Sequence, residues 1–206
     1  MTRWGAGLCG MLALAACTPP APSTSVALAE GEIFAVPPTG YCVDNVSSQP
    51  RRDFAVFVPC VMLDTSENSE ISSPDVVGLA TVLVGPEDSG AIAQDEIALR
   101  DFLITDAGAS LLSQSGNADD ITILSTQAFD DQVMVHFADS GAPPFAGLQR
   151  EEWRAFRNIN GRLLTIGVRG LSAAPLRDGP GAGLLKQILS GIQSTLETGD
   201  LDAPDA

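Results

Sequence analysis

Residues 153–169 constrain this chain more tightly than any other stretch. An alternating run from Trp153 to Ile159 is followed by Asn160-Gly161 and a second alternating run from Arg162 to Arg169. Asn-Gly is the preferred two-residue hairpin turn, because both central positions of a type I′ turn need positive φ and these residues reach it at least cost. A loop this short leaves no slack in the pairing. It sets Ala155 opposite Ile166 and Trp153 opposite Val168, so these four residues share one apolar face. A chain carrying this hairpin contains an antiparallel sheet.

The other elements are read around that hairpin. Thr18 to Glu30 is a Pro/Ser/Ala spacer with nothing to pack, so folding is expected to start near Glu32. Ile33, Ala35 and the Val36-Pro37-Pro38 run predict a short edge strand and a turn at Thr39-Gly40. Tyr41 to Val46 and Phe54 to Leu63 read as a second hairpin, turning near residue 51, and Thr65 to Asp75 as a polar loop. Val76 to Val84 is nearly all apolar and predicts a central strand covered on both faces. Gln94 to Ser113 reads as helix, with Leu99, Phe102, Leu103, Ala107 and Leu111 at three-four spacing and Thr105-Asp106 as the place for a break. Strands follow at Ile121 to Thr126 and Gln132 to Ala138, joined around Asp130-Asp131, with Gly141-Ala142-Pro143-Pro144 as loop. Leu184, Leu185, Ile188, Leu189, Ile192 and Leu196 form the stripe of a last helix closed by Gly199, and residues 198–206 are an acidic tail expected to be disordered.

This order implies one α+β domain over residues 32–197: a twisted antiparallel sheet of about six to seven strands, flanked by two main helices, the last at the C-terminus. The element order and the opening Val36-Pro37-Pro38-Thr39-Gly40-Tyr41 resemble the PsbP/Mog1-type domain. The resemblance implies a domain that binds partners or assists assembly. It brings no shared catalytic site, so no functional residues carry over.

The first 17 residues carry a separate signal. Arg3 supplies a positive start, Trp4 to Leu14 an apolar core, and Ala15-Ala16 the small residues before a cut. The core is too short to span a bilayer, which takes roughly 20 apolar residues. Leu14-Ala15-Ala16-Cys17 resembles the lipobox of bacterial lipoproteins. That resemblance implies removal of residues 1–16 and a diacylglyceryl thioether plus an N-acyl chain on Cys17. It makes residues 17–31 a lipidated cysteine and spacer, and the lipid is then the only non-protein group expected. Two or three chains on one cysteine hold a bilayer durably where one chain does not. An ordinary secretory signal with a cut near Ala16 is the alternative. Thr18, in place of the aspartate that retains such proteins at the inner membrane, implies an outer-membrane anchor with the domain facing the periplasm; the inner membrane and cell surface are the other placements.

Removal of the leader leaves 190 residues, with ten basic against 26 acidic side chains, a net charge of −16. A surface so acidic repels nucleic acid and anionic headgroups. Acidity also raises solubility whatever the partner. Two cysteines remain besides Cys17, namely Cys42 and Cys60. In an oxidising compartment a leftover pair is most simply a disulfide. The hairpin around residue 51 would set the two opposite each other, and closing that loop contributes about 3 kcal/mol in the chain-entropy model. A redox pair or a metal site are the alternatives, though neither a C-x-x-C spacing nor a supporting histidine is present.

The search for chemistry returns little. His136 is the only histidine, placed by alternation with Met134 and Ala138 and opposite Val133, Val135 and Phe137. No G-x-S-x-G elbow exists for it to serve, and it has no second histidine with which to share a zinc ion. The doublets Asp119-Asp120, Asp130-Asp131 and Glu151-Glu152 fall at turns and strand ends, where acids are favoured for solvation. Gly179-Pro180-Gly181-Ala182-Gly183 imitates a phosphate loop, but Leu185-Lys186-Gln187 replaces the Gly-Lys-Ser/Thr it would need, so no nucleotide is expected. Arg150, Arg154, Arg157 and Arg162 form the one positive cluster; alternation puts Arg154 on the face opposite Trp153 and beside Phe156, and arginine with aromatics suggests an interaction patch. Pairing of these arginines with neighbouring acids on an exposed sheet face is the plainer reading. The expectation is a non-enzymatic envelope-binding or assembly-accessory domain, with a small-ligand carrier and an unrecognised hydrolase as rivals.

Mass spectrometry of native material should find Cys17 as the modified first residue, and globomycin should make the longer precursor accumulate. A mature chain starting at an unmodified residue contradicts the anchor.

Overall fold

The structure, a computed structural model, describes residues 23–64 and 73–195. Among them the hairpin forms from β8 (Glu151–Ile159) and β9 (Arg162–Gly170) in the register read from its turn. Trp153 lies opposite Val168, Ala155 opposite Ile166, and Ile159 opposite Arg162. Asn160 and Gly161 take φ of 52° and 76°, the positive values a type I′ turn requires. The Asn160 side chain then ties the turn to Ser194, with bonds of 2.7 and 3.0 Å between its amide and the Ser194 hydroxyl.

The remaining strands are β1 (Val26–Leu28), β2 (Ile33–Ala35), β3 (Tyr41–Val43), β4 (Phe54–Pro59), β5 (Gly78–Val84), β6 (Ile121–Phe129), β7 (Gln132–Asp139) and β10 (Ile192–Ser194). Helices α1 (Glu96–Leu103) and α2 (Asp106–Leu112) precede β6, and α3 (Asp178–Ser190) precedes β10. Seven strands make one antiparallel sheet in the order β3-β4-β5-β9-β8-β7-β6, and a small sheet runs β1-β2-β10. The molecule is α+β, as the element order predicts.

The helical stretch breaks where Thr105 and Asp106 stand. Thr105 has extended φ/ψ and accepts from the Gly108 N–H at 3.2 Å, capping α2 as Asp95 caps α1. The break rotates the buried face: Leu99 and Leu103 of α1 are continued by Ala109 and Leu112, while Ala107 and Leu111 of the predicted stripe point outward. α1 and α2 cover Val133, Val135 and Phe137 on one face of the sheet. α3 covers the other with Leu184, Leu185 and Ile188, packed among Ala80, Val82, Ala155, Ile166 and Val168. Each of those three α3 side chains is buried to within 2 % of its surface and contributes about 1.5–3 kcal/mol through lost contact with water.

Several expectations are corrected. Folding starts before Glu32: Val26 and Leu28 are buried and pair with Ala35 and Ile33, because the spacer ends in an alternating Val-Ala-Leu run. That makes β2 the middle strand of the small sheet and not an edge. β5 is central but fully buried on one face only, alternating buried Ala80, Val82 and Val84 with half-buried Leu79 and Thr81 and exposed Leu83. α3 stops at Ser190, since Gly191 ends the helix and Ile192 enters β10 beside Ala35. Leu196, Gly199, the acidic tail and most of the 65–75 loop lie outside the described residues. Cys42 and Cys60 are bonded, with Cα atoms 4.9 Å apart, but as diagonal neighbours. Cys42 faces Val58, because the loop's helical turn at Pro50–Arg52 and left-handed Asp53 shift the hairpin centre toward residue 50.

The Gly179–Gly183 run is the first part of α3, where glycine answers a steric demand. A Cβ on Gly181 would stand 2.5 Å from Cδ2 and Cε2 of Trp153, so the helix rests directly on the indole face. Nothing lies within 4 Å of the same position on Gly183. Gly181→Ala should therefore cost about 1–3 kcal/mol by overpacking. Gly183→Ala should stabilise by roughly 0.5–1 kcal/mol through helix propensity. Urea denaturation of the two variants should move in opposite directions; shifts of the same sign would contradict the seat on Trp153.

Candidate functional site

Strand alternation sends Trp153 and Ala155 toward α3, and Glu152, Arg154 and Phe156 to the opposite face. On that opposite face α1, α2 and the helical turn Ser89–Ala93 cover β6, β7 and the turn end of the β8–β9 hairpin, and Val56 of β4 is buried. Among the described residues β5 is the least covered, with Leu79 and Thr81 half-buried and Leu83 exposed. A concavity of about 290 Å³ sits there. Its walls include Phe54, Leu79, Phe145 and Leu148, and its floor is Thr81 and Gly167 beside Glu152, Arg154 and Arg169.

The floor is an ion cluster. Glu152 is 4 % exposed, and its Oε1 accepts from Arg154 Nε at 2.6 Å while Oε2 pairs with the Arg169 Nη2 group. Arg169 Nη1 donates to the carbonyls of Gln149 (3.3 Å) and Arg150 (3.4 Å). Arg154 lies 5.1 Å over the Phe137 ring, a cation–π contact. Gly167 makes room for the carboxylate, since a Cβ there would meet Glu152 Oε1 at 2.7 Å. Two buried cations on one anion make Glu152 the residue on which the floor depends. Read as half of a solvated doublet, Glu152 was missed by composition. The hairpin register could have found it. Carried one residue outward from Trp153 and Val168, it sets Glu152 opposite Arg169.

A second concavity, about 300 Å³, lies on the α3 side and holds His136, Trp153, Asp178, Met134 and Ser125. His136 stacks on Trp153 with ring centroids 4.2 Å apart and planes 12° from parallel. Its Nδ1 is 3.2 Å from Asp178 Oδ1 and its Nε2 3.3 Å from Glu151 Oε2. With both ring nitrogens turned to carboxylates, neither is aimed at the hydroxyl of Ser125, the residue across the strand pair. The stack and the Asp178 contact tie the start of α3 to the sheet. Among the described residues no group of three or more His, Cys, Asp or Glu could hold a metal ion.

The five residues of the expected patch do not share a surface. Trp153 is buried beneath α3, Arg154 and Phe156 face the α1–α2 side, and Arg157 lies on the α3 side beside Phe129 and Lys186. Arg150 is exposed at the strand's approach. Arg162 is engaged by Glu32 (3.4 Å) and Glu87 (3.1 Å). A cluster in sequence is dispersed because a strand alternates its faces. Asp130 and Asp131 take φ of 51° and 57° and form the β6–β7 turn itself, and Asp120 accepts from Ser115 at 2.6 Å. Away from both concavities, burial pushes the Tyr41 hydroxyl up to about 12, against the opposing pull of its bond from the Gly78 N–H. Cys17 lies outside the described residues.

No protein-family model and no curated protein matches the chain. Among solved structures it is similar to a point mutant of the protein Mog1, with a TM-score of 0.51, 13% identity, and 82% of this chain and 94% of that one covered. It is also similar to the Saccharomyces cerevisiae Ran-binding protein Mog1p, at a TM-score of 0.50, 14% identity and the same coverages. A cyanobacterial PsbP from Synechocystis reaches 0.43 at 12% identity, covering 91% of this chain and 98% of its own. The likeness to Mog1 supports the PsbP/Mog1-type resemblance at the level of fold.

Glu152→Gln should leave two arginines without their buried anion and cost about 3–5 kcal/mol. Glu151→Gln, at a half-exposed carboxylate, should cost no more than about 1 kcal/mol. Equal losses in thermal or denaturant unfolding would show that the buried cluster is not what holds this face.

Proposed function

We propose that this chain is a lipoprotein held in the outer membrane by acylated Cys17, whose periplasmic domain binds an envelope partner without catalysing a reaction. The least covered part of the α1–α2 sheet face, on β5, carries the reading. It presents Leu83, 45 % exposed, beside the concavity over Glu152 and Arg154, and gives the domain a surface its own helices do not fill. The apolar leader ending in Leu14-Ala15-Ala16-Cys17 supports export and anchoring, and the Cys42–Cys60 bond suits an oxidising compartment. One neighbour of the same fold is a Ran-binding protein, which supports this fold as a binding scaffold. Charge complementarity favours a partner that is not nucleic acid, since the chain carries −15 overall.

A small-ligand carrier is the second reading. It is favoured by the convergence of Thr81, Glu152 and Arg154 in a concavity with apolar walls, the usual character of a small-molecule site.

A photo-crosslinking residue at Leu83 in intact cells should trap an envelope protein. The same residue at Val46, 95 % exposed on the β3–β4 loop, should not. No adduct at Leu83, or identical adducts at both positions, would overturn the binding reading.

A further inference from the structure

We propose that the concavity over Glu152, Arg154 and Arg169 is a binding site for a small apolar molecule bearing one carboxylate. This rests on the second reading above, of the concavity as a small-molecule site, and names the ligand chemistry its lining selects. The charges lining the concavity are two guanidiniums and one carboxylate, an excess of one positive charge in a protein of net −15. Asp139 follows on the same face but does not line the concavity, and its two oxygens accept from the Gln114 N–H (3.0 Å) and the Gly141 N–H (2.8 Å). Among the groups that line the concavity, the excess faces the space a ligand would fill.

The two arginines differ in what they can still do. Arg169 is committed, with Nη1 on two carbonyls and Nη2 on Glu152. Arg154 gives Nε to Glu152 and reaches the Leu111 carbonyl with Nη1 at 3.5 Å, while its Nη2 meets no acceptor among the described residues. Its side chain keeps 14 % of its surface and lines the concavity. A guanidinium held by a carboxylate on one edge and open on another is oriented for a second carboxylate, in the fork geometry that arginine supplies and lysine does not. The Thr81 hydroxyl and Gln114 side chain add neutral hydrogen-bonding groups.

The rest of the wall is apolar. Phe54 and Leu79 come from the least covered part of the strand face, and Phe145 and Leu148 from the loop that bends over it. One negative charge balances the floor; a dianion would overcompensate it. A volume of about 290 Å³ suits a small molecule with an apolar body.

The full-length chain in phosphatidylcholine nanodiscs should be titrated with 4-phenylbutyrate and with 4-phenylbutan-1-ol by calorimetry, with empty discs subtracted. The acid should bind at least tenfold more tightly than the alcohol. Arg154→Gln should erase that preference, and Phe145→Ala should weaken both probes alike. Acid and alcohol bound equally, or a preference that survives Arg154→Gln, overturns the proposal, and the comparison on the unaltered chain decides even if the variant does not fold. Binding of an acetylated Ala-Leu-Phe peptide acid without binding of 4-phenylbutyrate would also overturn it, and would put a polypeptide C-terminus in the site instead. Failure of 4-phenylbutyrate alongside a persistent crosslink at Leu83 would leave the binding surface standing and remove only the carboxylate ligand.

Discussion

The register of one hairpin governs both sides of this molecule. Because side chains alternate across a strand, a slip of one residue between β8 and β9 would exchange the two faces completely. Trp153 would leave α3 and meet the opposite face, while Glu152 and Arg154 would be driven into the apolar seam beneath the helix. Neither exchange is tolerable, since a large indole would be exposed and charges would be buried without partners. Asn160-Gly161 prevents the slip locally through its positive φ values, and the bond from Asn160 to Ser194 repeats the constraint from the small sheet.

The two faces so separated are finished differently. α3 lies flat against one, close enough that Gly181 touches the Trp153 ring, and its apolar stripe fills the space between helix and sheet. α1 and α2 are short; they pack mainly on β6 and β7 of the other, and α2 meets β8 where the Leu111 carbonyl accepts from Arg154. β5 meets the gap they leave with half-buried Leu79 and Thr81 and exposed Leu83, and the ion cluster on Glu152 lies at its border. The binding surface proposed for this domain is the stretch of its sheet that, among the described residues, α1 and α2 do not cover, with Phe145 and Leu148 at its edge.

Where local chemistry was decisive, the sequence was sufficient. The turn pair gave the hairpin and its partners residue by residue, the Thr105-Asp106 break gave two helices, and alternation put His136 on the side of Met134. It failed where tertiary neighbours decide. An all-apolar β5 reads as covered on both faces, because periodicity cannot report that α1 and α2 end too soon to reach Leu83. The stripe of α3 ran on to Ile192 because an apolar residue after Gly191 suits a helix face and a buried strand equally well. Alternation put Arg154 beside Phe156 and opposite Trp153, as found, but could not report that Trp153 is sealed under α3 or that Arg154 is held by Glu152. Glu152 was hidden for a related reason. Its importance comes from Arg169, seventeen positions away and visible only once the register is applied.

The account stands or falls on which way Trp153 faces, and proton NMR of the intact chain reads that directly. With the indole seated against α3, one Hα of Gly181 points into the ring face and should resonate well upfield of the ordinary glycine range. Its cross-peaks should run to the Trp153 ring. A Gly181 Hα at an ordinary shift, with Trp153 instead showing cross-peaks to Leu79 or Thr81, would place the hairpin in the other register and contradict both the fold seam and the site built behind it.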